Sequence, residues 1–160
     1  KRGPVLTGHL WPGRPGFEPY KTRIEVSKSD LVEVADHSSG SDTPQGKDCQ
    51  AYLSQYAAVM CLCDTYVVPK YIETMLAGSV CFCQWHDEMS DMGFRDGINC
   101  VVVDKDNFEG KVKHFIDHVS EYQDIALRGY ELASEEYTAD VFASKLKNQL
   151  TEIQSGNNTD

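Results

Sequence analysis

Pro69-Lys70-Tyr71-Ile72-Glu73-Thr74-Met75-Leu76-Ala77-Gly78, followed at once by Ser79-Val80-Cys81-Phe82-Cys83, reads as a charged helix that runs through a glycine stop into a buried strand. Proline suits the start of a helix, where the N–H it lacks would have no partner. Lys70 and Glu73 lie three residues apart and so share one helix face. A cation and a carboxylate at the first turn suit a ligand that carries both phosphates and a ribose, the lysine meeting the phosphates and the carboxylate accepting from hydroxyls. The alternative is an intrahelical ion pair on a solvated face, worth only ~0.2–0.5 kcal/mol.

Outward from this stretch, strands and helices alternate. Upstream, Val5 to Leu10 is a short apolar strand, and Trp11 to Tyr20 is a loop too rich in Pro and Gly for either regular structure. Residues 20–29 read as a helix, Leu31-Val32-Glu33-Val34 as a strand, and Asp36 to Gly46 as a polar loop. Asp48 caps a short helix through Tyr56, and Ala57 to Cys63 is a continuous apolar strand of the kind covered on both faces. Downstream, Gly93-Phe94-Arg95-Asp96-Gly97 turns the chain into a strand from Asn99 to Val103. Three helical segments follow, Phe108–Val119, Glu121–Glu135 and Thr138–Ile153, and residues 154–160 form a polar tail expected to be disordered. The pattern specifies an α/β fold, a Rossmann-like parallel sheet flanked by helices, in one domain over residues 1–153.

Composition narrows the function classes. A formal net charge of −10 argues against a duplex nucleic-acid binder, which must neutralise phosphates with clustered cations. The charge is uneven, with six basic residues (Lys1, Arg2, Arg14, Lys21, Arg23, Lys28) against four acidic ones up to Glu33, so an anionic ligand is expected in the N-terminal part. No apolar run approaches the roughly 20 residues of a membrane span. The chain starts at Lys1 without methionine or a signal pattern, which reads as a piece of a longer polypeptide. Cys61, Cys63, Cys81 and Cys83 sit in apolar runs as two Cys-x-Cys pairs, each projecting to one strand face as small buried hydrophobes. Zinc ligation usually uses two to four intervening residues, so no metal is expected. Buried reduced thiols favour a cytoplasmic or similarly reducing compartment.

In an open parallel sheet, ligands bind outside the carboxyl ends of the strands. The loop after the first strand holds Gly8, which either lets a phosphate approach the backbone or serves turn chemistry, together with His9, Trp11 and Arg14, which either clamps a diphosphate bidentately or is simply exposed. Beside the motif helix, Tyr71 stacks on a base or packs inward. Trp85 in the polar loop after the strand at 79–83 favours ligand contact, and His86 lies beside it. His114 and His118, at i,i+4 with no third ligand, read as a surface feature.

Pro69-Lys70-Tyr71-x-Glu73-x-Met75-x-Ala77-Gly78 resembles the Lys-x-x-Glu-x-x-x-x-Gly stretch in the C-terminal domain of two-domain GT-B glycosyltransferases of the "glycosyl transferases group 1" type. The segment Glu88 to Asn99, with Gly93-Phe94-x-Asp96-Gly97-x-Asn99, and the helical region through Tyr137-Thr138 are similar to that family's downstream part. The resemblance implies the C-terminal half of a GT-B fold: a nucleotide-sugar (donor) binding domain of a glycosyltransferase, needing no metal. Its expected partner is an N-terminal acceptor domain of the same polypeptide or of another chain. It further implies Glu73 on the ribose hydroxyls, Lys70 near the diphosphate, and Trp85-His86 near the phosphates or sugar. One departure stands out. The best-known branch has a further glutamate eight positions before the ribose-binding one, and Thr65 stands there here. A chain of 160 residues lacks room for the acceptor domain and should transfer nothing by itself. The rival class is a degenerate domain of this fold that serves as a protein-interaction module.

Overall fold

The computed structural model describes residues 1–10, 16, 18–37, 44 and 47–156. Its strands are β1 (Arg2–Gly8), β2 (Glu33–Asp36), β3 (Tyr56–Cys61), β4 (Val80–Cys83) and β5 (Val101–Val102). Every pairing is parallel and the order is β2-β1-β3-β4-β5. The chain winds outward from β1 to one side and then from β3 to the other, which makes the crevice between β1 and β3 the topological switch point.

Helices cover both faces. Against one pack α2 (Lys47–Leu53), α3 (Lys70–Leu76) and α6 (Gln123–Glu136), burying Leu53, Tyr71, Met75 and Ala133 with Cys61, Cys81, Cys83 and Cys100 of the strand side. Against the other pack α1 (Lys21–Val26) and α5 (Phe108–Asp117), burying Val26, Val112 and Phe115 on Leu6, Met60 and Phe82. Each large apolar side chain buried in this way contributes ~1.5–3 kcal/mol. The Cys-x-Cys pairs behave as small core residues: Cys61 pairs in register with Cys83, and the thiols are free. Among the described residues no group of side chains is arranged to hold a metal ion.

The decisive stretch folds as its sequence dictates. At the end of α3, Gly78 adopts φ +63°, its N–H donates to Met75 O at 2.9 Å, and Ser79 N–H donates to Thr74 O at 3.2 Å. These paired bonds close the helix and turn the chain directly into β4. Between β4 and β5 the turn is pinned by Asn99, whose side chain accepts from Arg95 N–H and donates to Gly93 O at 2.8 and 2.9 Å.

Boundaries depart from expectation in several places: β1 runs over Arg2–Gly8 rather than 5–10, α2 ends at Leu53 and Tyr56 opens β3 where the helix was expected to continue, and β5 is only Val101–Val102 of the expected 99–103. Residues 88–91 form a short helix, α4 (Glu88–Asp91), where a loop was expected. The second strand begins at Glu33 rather than Leu31, because Val32 packs in the core just before the pairing with β1 starts. The last helix, α7 (Ala139–Gly156), continues into the segment read as tail, and residues 157–160 lie outside the described residues. Among the described residues no helix is long and apolar enough to cross a membrane.

Candidate functional site

β1 ends at Gly8 with φ +137°, a conformation that side-chain-bearing residues rarely adopt. A Cβ at this position would lie 2.8 Å from Arg23 Nη1 and 3.7 Å from Lys70 Nζ. Glycine therefore lets two cations close on the main chain at the end of β1. Lys70, the first residue of α3, donates from Nζ to Thr7 O at 2.8 Å. Arg23, from α1, donates from Nη2 to Leu62 O at 3.0 Å, and its guanidinium lies over the Tyr20 ring at 4.4 Å. Among the described residues its Nε is buried without a partner.

Neither cation forms an ion pair with a carboxylate among the described residues. The solvated Lys70–Glu73 ion pair is therefore not what the sequence spacing encodes: Lys70 turns back onto β1 instead. Burial pushes the Lys70 ammonium below its ordinary pKa, and the nearby Arg23 charge adds to that shift. Burial lowers Arg23 as well, although a guanidinium stays protonated at any physiological pH. Two adjacent cations held on carbonyl oxygens cost stability, and an anion placed between them recovers it.

Both cations open onto a cavity of about 330 Å³ at the β1–β3 switch point. Thr7, Gly8 and His9 form its floor, and Glu73 lies on the α3 wall one turn beyond Lys70. Cys49 of α2 donates weakly to Glu73 Oε2 at 3.9 Å, and its thiol pKa is raised by burial and by the Glu73 charge. The cavity is also lined by His37, with Nε2 2.8 Å from Thr7 Oγ1, and by Tyr52 of α2, whose ring meets the His37 ring edge-on. A cationic floor, a carboxylate one helical turn away and an aromatic wall can hold an anionic ligand that also carries hydroxyls and a ring.

Of the residues expected from sequence, Gly8, His9, Lys70 and Glu73 come together on this cavity. Arg14 and Trp11 lie outside the described residues. Tyr71 stays out of the site: it is fully buried, with its ring against His86 and Phe94 and its hydroxyl donating to Gln84 O at 3.4 Å. One step along a helix rotates a side chain by about 100°, which carries Tyr71 from the Lys70 face into the core beside Met75. Trp85 is exposed but does not line the cavity, and His86 secures its own loop through Cys63 O (3.0 Å) and Met89 Sδ (3.3 Å). Thr65, at the position of the family's further glutamate, is exposed and off the cavity. His114 and His118 are exposed and stack at 4.3 Å on α5 and its end.

Sequence reasoning missed Arg23, counting it only toward the basic balance. A signal was present: Arg23 precedes Val26 by three residues on the inward face of a short helix, where a charged residue requires a polar destination. Cys49, Tyr52 and His37 carried no such signal, since only folding of α2 and β2 beside β1 brings them to the cavity.

No protein-family model and no curated protein matches the chain. Among solved structures, the crystal structure of Anabaena Alr3699/HepE in complex with UDP-glucose matches with a TM-score of 0.63 at 12% identity. The match covers 92% of this chain, which spans 40% of the length of that one. At this identity the likeness establishes the fold: a parallel sheet flanked by helices, Rossmann-like and of GT-B type.

Proposed function

We propose that this chain is the nucleotide-sugar (donor) binding domain of a glycosyltransferase, a part of a larger protein that does not transfer sugar by itself. The observation that carries the proposal is the convergence of Gly8, Arg23 and Lys70 on one cavity at the β1–β3 switch point, with Glu73 a helical turn away. The likeness in fold to a protein bound to UDP-glucose supports it, as does the chain's covering 40% of that protein. In this reading the diphosphate lies over Gly8 between Arg23 and Lys70, and Glu73 accepts from the ribose hydroxyls.

The catalytic contribution of such a half is electrostatic. As the bond from sugar to diphosphate breaks, negative charge grows on the departing oxygens, and cations already fixed by Thr7 and Leu62 carbonyls stabilise it without reorganising. The sugar acceptor, and a base for it, would come from a second domain. The buried free thiols fit a reducing, cytoplasmic-type compartment.

Titration calorimetry with UDP-glucose tests this. Removing a charged hydrogen-bond partner costs ~1.5–3 kcal/mol, so Lys70→Ala and Glu73→Ala should each weaken binding by about tenfold or more. Absence of saturable binding in the complete polypeptide, with transfer unaffected by either substitution, defeats the proposal. A second reading, a degenerate domain that contacts other proteins, draws on α7, where Phe142, Leu146, Leu150 and Ile153 form an exposed apolar stripe. It predicts no nucleotide-sugar binding at all.

A further inference from the structure

Helix α1 carries Arg23, yet the residue preceding the helix, Tyr20, makes no side-chain capping bond. The cap comes from Asp64, in the loop after β3. Asp64 Oδ2 accepts from the Thr22 backbone N–H at 3.1 Å, and Oδ1 accepts from the Thr22 hydroxyl and from Gln84 Nε2, the latter at 2.7 Å. Gln84 directly follows β4, so one carboxylate ties the ends of two strands to the start of α1. Two residues before Asp64, Leu62 O receives Arg23 Nη2. The guanidinium of Arg23, a residue only 8% exposed, thus hangs from a helix that is pinned to the sheet one residue before it. Asp64 itself is not part of the cavity wall.

We propose that Asp64 is a positioning residue: by capping α1 from the carboxyl end of β3, it sets the depth at which Arg23 meets a diphosphate-bearing ligand. The role of the ligand rests on the nucleotide-sugar proposal above. With six residues, α1 is far too short to be stable by itself, so its orientation derives from what grips its ends. Burial opposes ionisation of Asp64, but the bonds from Gln84, Thr22 and the Lys21 backbone prevail and hold its carboxyl below the usual range. The cap is therefore charged at neutral pH.

The test uses the full chain with Asp64→Ala, Asp64→Asn, Arg23→Ala and the double variant Asp64→Ala/Arg23→Ala. The first readout needs no ligand: the Arg23 Nε–Hε signal in a ¹H–¹⁵N NMR spectrum. In the unsubstituted chain it should be shifted and slow to exchange with water, and Asp64→Ala should move it toward the free-arginine position with fast exchange. Asp64→Asn should restore it in part, because the amide oxygen can still accept from the Thr22 N–H while its NH2 donates to the Thr22 hydroxyl oxygen in place of one accepted bond.

The second readout is calorimetry with UDP. Asp64→Ala should weaken UDP about tenfold when Arg23 is present, and change nothing further when Arg23 is already alanine. General loosening of the fold would cost affinity in both backgrounds. An unmoved Arg23 signal in Asp64→Ala, or an equal loss in both backgrounds, overturns the positioning role. If Asp64→Ala does not fold, Thr22→Val removes one contact to the same carboxylate, and the same two readouts decide with smaller shifts. If the unsubstituted chain binds no UDP while the Arg23 signal still moves in Asp64→Ala, the nucleotide-sugar proposal falls and the placement of Arg23 by Asp64 stands.

Discussion

Cavities at the two ends of one parallel sheet differ in chemistry more than in size. At the amino ends of the strands, about 460 Å³ lies among Ala57, Val80, Phe115, Tyr122 and Leu127, and the wall is largely apolar. At the carboxyl ends, the smaller space of about 330 Å³ gathers two cations and a carboxylate. The charge at the amino end, Lys1, bonds to the Gly78 carbonyl and leaves the wall apolar. That end is where α5 and α6 diverge from the strand starts. The carboxyl end is where loops leave the sheet in opposite directions and expose carbonyls that can fix cations. Convergent charge, rather than volume, distinguishes the candidate site.

The sharpest way to break this comparison is Gly8→Ala. The new side chain would sit at φ +137° and meet Arg23 Nη1 at 2.8 Å. Backbone strain of ~1–3 kcal/mol and displacement of Arg23 should together lower UDP-glucose affinity about a hundredfold, read by calorimetry beside a melting curve. The counterpart away from the site is Gly129→Ala. Gly129 lets α6 approach the loop before β5, where a Cβ would lie 2.8 Å from Asn99 O. Overpacking against backbone should cost ~1–3 kcal/mol in urea unfolding, with UDP-glucose affinity of the folded fraction unchanged.

Tyr122→Ala probes the apolar cavity. Tyr122 stacks on Phe82 and meets Phe115 edge-on at 5.1 Å. Its loss should cost about 1–2 kcal/mol of stability for a partly buried ring and leave nucleotide-sugar binding unaltered. A comparable loss of affinity would erase the distinction between the two ends.

The smallest expected effect is on pH. Lys70 has a folded pKa below the ordinary 10.5 because burial disfavours its charge. Binding an anion favours the charged form. Affinity should therefore be full below the lowered pKa and fall as pH rises through it, by up to about tenfold per unit, before 10.5 is reached. In the free protein the sign is opposite: the unfolded chain holds this proton more tightly, so stability rises with pH across the same window. Lys70→Arg should carry full affinity further into the alkaline range, measured by calorimetry across buffers.

Much of the architecture was legible from residue order. Continuous apolar runs at 57–63 and 79–83 fixed strands covered on both faces, and Gly78 marked where α3 must stop. The short helix at Glu88–Asp91 was not legible, because its single buried anchor, Met89, gives no period. In the site, Gly8, Lys70 and Glu73 could be named because each sits at a strand or helix end whose location the pattern predicts. Arg23 carried a weaker signal: its place on the inward face of α1 called for a polar destination, but residue order leaves open the path of the loop that decides which cavity it reaches.

The sequence by itself determined the alternation of strands and helices, the parallel sheet, and the ends of it where ligand chemistry belongs, because periodicity, proline and glycine act locally. Tertiary structure alone decided the partners of the two cations at the cavity. Spacing paired Lys70 with Glu73, three residues away, whereas the fold gave Lys70 the Thr7 carbonyl, 63 residues away. A buried cation takes whichever acceptor packing brings within reach, and parallel pairing of β1 with β3 brings one that no local rule anticipates.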